Sequence, residues 1–227
     1  VADADLTLPL DAFWHQYVAG RLQTMFDVSL AAVGPGGLAV QAFAALADRI
    51  VGSDAELRGK LSRGFQGNVV VDMSIEMQRL VALLPPGALL DGNALEAQLA
   101  EGRLPASFVA GWAGFLRRFG DRGPMEMDVA HPRYGDAPLI ALSQLAAMAC
   151  EGGAPDLATA ARRQIDARRD ATATVIRQAG PLRRWLLHRA DAVVERFAGL
   201  RDTPKHHLLA TLHGWRRRLV VEGEHLR

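Results

Sequence analysis

The sequence predicts an all-α protein, a multi-helix bundle with long C-terminal helices and one long ordered loop. Apolar residues recur at spacings of three and four in almost every segment, which is the pattern of amphipathic helices. Glycine and proline clusters separate these segments, and the one β-branched run is short, at 69–71. The chain has 227 residues, 49% of them hydrophobic, so it can bury a sizeable core and is not a disordered protein.

Three helices are predicted in the first part of the chain. The first two cover about 9–28 and 38–52, and the GPGG segment at 34–37 predicts a break between them. Proline and glycine both disfavour a helix interior, which is why we expect the chain to turn there. A third helix covers about 68–84, and the β-branched run at 69–71 leaves room for an extended start.

The helix predicted at about 106–119 carries a row of aromatic residues on one face, and the glycine that follows is a natural C-cap. Beyond it we predict four more helices. They cover 139–150, 156–178, 181–200 and 204 to the end. The last three are long, arginine-rich and amphipathic, as in a helical hairpin or bundle.

The connection at 120–138 is much longer than the usual four to six or so residues, and loops of this length tend to be functional or disordered. Apolar residues alternate through it, which favours an ordered loop. We expect ion pairs among its charged side chains to hold its shape, although the same side chains could contact a substrate instead. The residues concerned are Arg122, Glu126, Asp128 and Arg133.

We interpret 1–227 as a single helical domain, in which 120–138 is the best candidate for a join between two subdomains. The chain begins with valine and ends inside a helical pattern, so we expect it to be an excerpt of a longer multidomain protein. No internal repeat or low-complexity tail is visible in the sequence.

Common catalytic motifs are missing from the sequence. It contains no GxxxxGK phosphate loop, no GxGxxG fingerprint, no HExxH and no GxSxG. The single cysteine, Cys150, excludes a disulfide framework and a cysteine-based zinc site. The histidines at 206, 207 and 213 lack a carboxylate at ligand spacing, so we expect no metal site and assign them to packing or to the surface.

The formal net charge of +1 hides an asymmetry, because residues 1–154 are acidic overall and residues 155–227 are basic. Either the two parts pack on each other, or the basic part contacts an anionic partner. No apolar stretch looks long enough to span a membrane, and the N-terminus lacks the basic start of a secretion signal. We therefore expect a cytoplasmic protein with no membrane partner and no nucleic-acid partner.

Three segments carry a resemblance to a known family. The first is RGFQGNV at 63–69 with DMS at 72–74, and the second is FLRRFGDRGPMEMD at 115–128, which continues with PRY and DAP up to 138. The third is RDTPK at 201–205, followed by Arg216, Arg217 and Gly223. Together they resemble the phosphoenolpyruvate-utilising phosphotransferases, and most of all the rifampicin phosphotransferases and phosphoenolpyruvate synthase-like proteins.

The resemblance implies the helical substrate-binding domain of a dikinase-like phosphotransferase. In such enzymes the phosphoryl group passes from ATP, through a phosphohistidine on another domain, to a hydroxylated small molecule or to pyruvate. The implied partners are therefore the small-molecule acceptor and the ATP-grasp and phosphohistidine domains. ATP and magnesium belong to the ATP-binding domain, so this chain is expected to hold no cofactor and to be inactive alone.

The resemblance also suggests site residues. Arg201 and Lys205 would serve the transferred phosphoryl group from the start of the last helix, with Thr203 as N-cap and Pro204 in the first turn. The alternative is an ordinary solvated helix start with an ion pair to Asp202. A substrate pocket would be lined by Phe65, Met73, Met77 and Met125, although residues of this kind are also typical of a core.

Two positions depart from the family pattern. Asp121 stands where the family usually has histidine, and Pro204 stands where the family is helical throughout. A different reading stays open beside the enzymatic one. It is a non-enzymatic helical ligand-binding or regulatory module that uses the basic C-terminal face.

Overall fold

The computed structural model describes residues 4–85, 91–150, 156–197 and 203–225. All regular secondary structure in these ranges is helical and none of it is strand, which confirms the predicted fold class. The helices are α1 (Leu10–Phe13), a π-helical segment (Trp14–Ala19), α2 (Gly20–Val51), α3 (Ala55–Leu61), α4 (Val69–Ala82), α5 (Gly92–Ala100), α6 (Ala106–Phe119), α7 (Pro138–Cys150), α8 (Leu157–Gln178), α9 (Pro181–Phe197) and α10 (Thr203–His225).

The chain forms two compact units, each built from separate stretches of sequence. The first unit comprises Val1–Met25, Met73–Pro155 and Lys205–Arg227, and the second comprises Phe26–Asp72 and Asp156–Pro204. The loop 120–138, which we considered as a join between subdomains, lies wholly inside the first unit.

The break predicted at 34–37 was wrong, because α2 continues through Pro35 as one helix. An interior proline removes one hydrogen bond from the helix ladder and its ring crowds the carbonyl four residues earlier, but tertiary packing can offset both costs. Gly36 has a packing role instead, since a Cβ there would lie 2.8 Å from the Cβ of Phe197 in the same unit. Its lack of a side chain permits a close approach and does not mark a turn.

The β-branched run at 69–71 is helical and not extended, since α4 begins at Val69. The side chain of Asn68 accepts hydrogen bonds from the backbone N–H groups of Val70 (2.9 Å) and Val71 (3.2 Å). This capping offsets the weak helix propensity of the valines. The short helices α3 and α5 were not predicted, and each begins after an aspartate N-cap, Asp54 and Asp91 respectively.

The core of the first unit includes the aromatic face of α6, as predicted. Trp112 and Phe115 of this face stack with their ring centroids 5.6 Å apart. Helix α5 packs directly on α7, because a Cβ on Gly92 would overlap Ser143. Fully buried side chains of this core include Phe13, Leu95, Phe108, Phe119, Leu142, Leu145 and Leu209.

The second unit has its own apolar core, formed from α2, α8 and α9 around Phe43, Val175, Leu187 and Val194. Beside it lies the buried guanidinium of Arg168, which pairs with Asp191 at 2.9 Å and also with Glu195. The same guanidinium lies over the ring of Phe65, 4.8 Å from its centroid. Phe65 therefore packs within the second unit.

We expected no segment to be long and apolar enough to span a membrane, and the length and composition of one helical stretch contradict this. Among the described residues, the continuous helical stretch Leu10–Val51 contains a window of mean hydropathy 1.6, of which 19% is buried. Core helices of soluble proteins and signal sequences also have such windows, so one helix of this kind is weak evidence for a membrane span.

Two glycines with left-handed backbones provide a matched test of the packing of the second unit. Gly52 has φ +60° with open space around it, whereas at Gly64, with φ +76°, an added Cβ would overlap the carbonyl of Gln164 in α8. We expect Gly52→Ala to cost about 1–2 kcal/mol from backbone strain alone. Gly64→Ala should cost a further 1–3 kcal/mol or so, because the backbone of α8 must move.

Urea unfolding of the two variants beside the parent chain measures both costs as changes in the free energy of unfolding. Equal destabilisation by the two substitutions would show that the α8 backbone does not constrain Gly64.

Candidate functional site

The loop 120–138 is held closed by its own backbone. The N–H of Tyr134 donates to the carbonyl of Arg122 at 2.8 Å, and the N–H of Gly135 donates to the carbonyl of Gly120 at 2.9 Å. The backbones lie close together here, because a Cβ on Gly135 would lie only 3.3 Å from the carbonyl oxygen of Gly120, while one on Gly120 would overlap the Leu116 carbonyl. The motif FGDRGP at 119–124 therefore forms one side of the place where the two ends of the loop meet.

The buried side chain of Tyr134 fixes the loop to α7, since its hydroxyl donates to Oε1 of Gln144 at 2.9 Å. Burial raises the pKa of this phenol. The hydroxyl thus stays protonated and remains a donor near neutral pH.

Glu126 lies between two cations. The Nε of the buried Arg122 lies 2.5 Å from Oε1 of Glu126, and the Nζ of Lys205 in α10 lies 2.8 Å from Oε2. The Arg122 Nε makes no hydrogen bond, so its contact with Glu126 is an ion pair whose N–H is not directed at the oxygen. Lys205 is 49% exposed and Arg122 only 3%, so of the two cations it is Lys205 that solvent and a ligand can reach.

Arg133 is completely buried, and its partner differs from the carboxylate that we expected. Its Nη1 donates to the carbonyl of Met125 at 2.8 Å, while its Nε and Nη2 have no partner. Burial lowers the pKa of its guanidinium. We expected Arg133 to pair with Glu126, Asp128 or Asp136. Of these, Asp128 is used locally, accepting from the N–H of Ala130 and contacting Nδ1 of His131, both at 2.8 Å.

His213 of α10 lies between two carboxylates of the loop. Its Nδ1 is 2.6 Å from Oδ1 of Asp121, and its Nε2 is 2.9 Å from Oδ1 of Asp136. Both ring nitrogens can donate only if the imidazole is protonated, so the geometry favours the imidazolium form. Burial alone would lower the pKa of His213, but the bonds to the two aspartates outweigh it and raise that pKa.

The two aspartates respond in the opposite direction. Burial alone would raise the pKa of both carboxyl groups, yet the hydrogen bonds and charge of His213 outweigh it and hold both pKa values below the usual 3.8. For Asp136, the backbone N–H of Arg133 and the side chain of Arg216 add to this effect. The three groups are therefore all charged over the same pH range.

Arg216 makes a second connection between α10 and the loop. Its Nε donates to Oδ2 of Asp136 at 3.0 Å, and its Nη1 donates to the carbonyls of Val129 (3.3 Å) and Ala130 (3.2 Å). Lys205, His213 and Arg216 are spaced by eight and three residues, which places them on one face of α10. We call the following set the loop–α10 cluster: Asp121, Arg122, Glu126, Asp136, Lys205, His213 and Arg216.

The two departures from the family pattern have local explanations in the structure. Asp121 contacts the imidazole of His213, so a carboxylate and a proton-carrying ring lie together here. Helix α10 starts at Thr203, so Pro204 lies in the first turn, where a missing N–H costs no helix bond. Thr203 is thus the first helical residue, and not the N-cap that we expected.

The other predicted site residues are divided between the two units. Met77 is buried in the first unit, Met73 is partly buried, and Met125 is 52% exposed. Phe65 belongs to the second unit, and neither of the two cavities that we describe in that unit is lined by any of the four. Arg201 lies outside the described residues.

Sequence reasoning missed the role of His213. We assigned it, with His206 and His207, to packing or to the surface and gave it no part in the site. The useful signal was its place on the same helix face as Lys205 and Arg216, both of which the resemblance had already singled out.

Removing the side chain of Arg122 should loosen the loop. We expect Arg122→Ala to lower the free energy of unfolding by about 1–3 kcal/mol and to speed proteolysis within 120–138. The cost stays below the ~3–5 kcal/mol of a stranded buried charge, because Glu126 keeps Lys205 as a partner.

Arg103→Ala is the matched control for this loop prediction, since Arg103 forms an exposed pair with Glu101 in the same unit and should cost about 0.2–1 kcal/mol. If both variants behave alike, Arg122 does not order the loop.

The contacts of His213 predict a pH dependence of stability. Because its pKa is raised above the usual 6.5 in the folded state, its contribution is fully present below about pH 6.5 and is lost as the pH rises through the folded pKa. Each pKa unit corresponds to about 1.4 kcal/mol of unfolding free energy. NMR titration of the imidazole, together with urea unfolding at several pH values, measures both quantities.

Asp136→Asn should bring the pKa of His213 back toward 6.5 and reduce this pH dependence. The control is Asp128→Asn, another loop carboxylate, which contacts His131 and should leave the titration of His213 unchanged. An unaltered His213 pKa in Asp136→Asn would contradict the assignment.

Comparison with known proteins assigns the chain to a family. The family model described as "Rifampicin phosphotransferase fourth domain" matches residues 29–202, which is well over half of the chain and includes the loop 120–138. No curated protein matches the chain. The chain belongs to the family of rifampicin phosphotransferase fourth domains, as its three resembling segments predicted.

Proposed function

We propose that this chain is the substrate-binding helical domain of a dikinase-like phosphotransferase, with the loop–α10 cluster as the place where the transferred phosphoryl group is stabilised. The observation that carries the proposal is the contact of Lys205 with Glu126. It joins the loop motif, the most specific of the resembling segments, to the lysine that the resemblance independently suggested as catalytic.

The chemistry of phosphoryl transfer supports a positively charged site. The phosphoryl group leaves a phosphohistidine on a partner domain as the N–P bond breaks and its electron pair returns to the imidazole. An O–P bond forms to the hydroxyl oxygen of a small-molecule acceptor or to the enol oxygen of pyruvate, whose proton passes to the freed imidazole or to solvent. Negative charge on the equatorial oxygens must be stabilised throughout, mostly by fixed cations and N–H donors.

The loop–α10 cluster can supply such charge. Lys205 and Arg122 share one carboxylate, so a positive charge remains around Glu126. Lys205 has three N–H donors and uses one on Glu126, which leaves two for phosphoryl oxygens. Lys205 also lies in the first turn of α10, where free backbone N–H groups favour an anion. Arg122, being buried, would act by positioning Glu126 and the loop.

The remaining parts of the proposal concern the parent protein and its surroundings. ATP and magnesium would bind to an ATP-grasp domain, and the carrier histidine would belong to a further domain of the parent protein. Arg201 remains a candidate for the same role as Lys205. The protein would act in the cytoplasm, on a soluble small molecule and without a membrane or nucleic-acid partner.

Replacing Lys205 tests the proposal in the full-length parent protein. Lys205→Ala should reduce transfer to the acceptor by about 100- to 1,000-fold, which is the usual effect of losing one transition-state charge donor. Autophosphorylation of the carrier histidine should persist, because that half-reaction does not use this domain. The two half-reactions are measured separately with γ-labelled ATP.

Lys60→Ala is the control, since Lys60 is the only other lysine of the chain and likewise pairs with a glutamate, Glu56. It should leave both half-reactions intact. Normal acceptor phosphorylation by a folded Lys205→Ala variant would remove Lys205 from the site. Absence of any transfer by the parent itself would favour the non-enzymatic helical module.

A further inference from the structure

The second unit contains a cavity of about 530 Å³ between α8 and α9 that none of the loop–α10 residues line. Its volume lies in the range of small-molecule sites, about 300–1,000 Å³. Helix α8 contributes most of the lining and α9 the rest. The lining residues used below are Arg168, Thr172, Ile176, Arg177, Arg184 and Asp191.

The lining of this cavity is strongly cationic. Four arginines line it against one carboxylate, that of Asp191, which already pairs with the buried Arg168. Among the described residues, neither Arg177 nor Arg184 forms an ion pair with a carboxylate. Two positive charges therefore face the cavity with no counter-ion among the residues that the structure describes.

These two guanidinium groups are also oriented. Nη2 of Arg184 donates to the carbonyls of Ala179 (3.1 Å) and Arg177 (3.3 Å), which fixes the head group at the end of α8. Nη2 of Arg177 donates to the hydroxyl of Thr174 at 3.1 Å. Each contact uses one nitrogen of the fork, so other N–H donors stay available for a bound anion.

Two buried polar atoms of the lining have no hydrogen-bond partner in the described part of the chain. Thr172 is 5% exposed and its Oγ1 makes no hydrogen bond, and the Nε of Arg168, whose residue is 1% exposed, makes none either. Buried groups of this kind are normally paired, because leaving them unpaired is costly. Ile176 and Ala173 add an apolar wall to the same lining, and polar groups beside an apolar wall suit a ligand with a polar head and an apolar body.

We infer that this cavity binds a small phosphate monoester with an apolar body. The two arginines without counter-ions match the double negative charge of a phosphate monoester near neutral pH, whereas a carboxylate would neutralise only one of them. The apolar part would lie against Ile176, and a slight shift of Thr172 would bring its hydroxyl to a ligand acceptor. The inference rests on the second unit alone and does not depend on the proposed function.

Phenyl phosphate is the probe for this site, titrated into the chain by isothermal calorimetry at low salt. We expect saturable binding that weakens as salt is added. Arg177→Ala and Arg184→Ala should each raise the Kd about tenfold, since each removes a charge-assisted contact. Arg183→Ala, which removes an exposed arginine next to Arg184 that does not line the cavity, should change the Kd less than about twofold.

Two further measurements separate a site from general attraction. Inorganic phosphate should bind about tenfold more weakly than phenyl phosphate, because it lacks the apolar body. Thr172→Val preserves the shape and charge of the cavity and should weaken phenyl phosphate binding severalfold, while the melting temperature shows that the unit stays folded. If Arg184→Ala loosens the turn between α8 and α9, the affinity of Thr172→Val for phenyl phosphate tests the site instead.

The inference is overturned if phenyl phosphate shows no saturable binding, or if Arg183→Ala weakens it as much as Arg184→Ala. Equal affinity for phenyl phosphate and inorganic phosphate would also overturn it, since the apolar wall would then take no part.

Discussion

The imidazole of His213 between Asp121 and Asp136 is the contact on which the organisation of the first unit's site depends. It brings a side chain of α10 to both ends of the loop 120–138. Arg216 of the same helix donates to a carbonyl in the middle of the loop. Because Lys205 lies on the same face of α10, its contact with Glu126 requires the same helix position. Loss of this contact would leave two partly buried carboxylates without their shared partner.

Buried arginines provide much of the remaining order in both units. Arg122, Arg133, Arg168 and Arg218 are almost fully buried, and a guanidinium does not lose its charge by deprotonation. Each therefore needs partners, and several find them far away in sequence, as when Arg218 donates to the carbonyl of Leu8 at 2.6 Å. An irregular loop has no helix ladder, so side-chain donors of this kind take over the pairing of its carbonyls.

The loop–α10 cluster and the α8–α9 cavity use cations in different ways. In the cluster each cation has a protein carboxylate or carbonyl, so the charges primarily fix geometry and leave a small positive excess at an exposed lysine. In the cavity two guanidinium groups donate to neutral acceptors and pair with no carboxylate among the described residues. The first arrangement suits the stabilisation of a transient charge, and the second suits the retention of an anion.

The sequence by itself determined the all-α class, the family, the bounds of α6 and the irregular loop, because apolar periodicity and local motifs encode them. It could not determine that α2 continues through Pro35, since packing against Phe197 decides the role of Gly36. It also could not set the ring of Phe65 under the guanidinium of Arg168, pair Arg133 with a carbonyl, or bring His213 to Asp121, 92 residues away. Contacts between distant segments depend on how helices pack, and only the tertiary structure decides that.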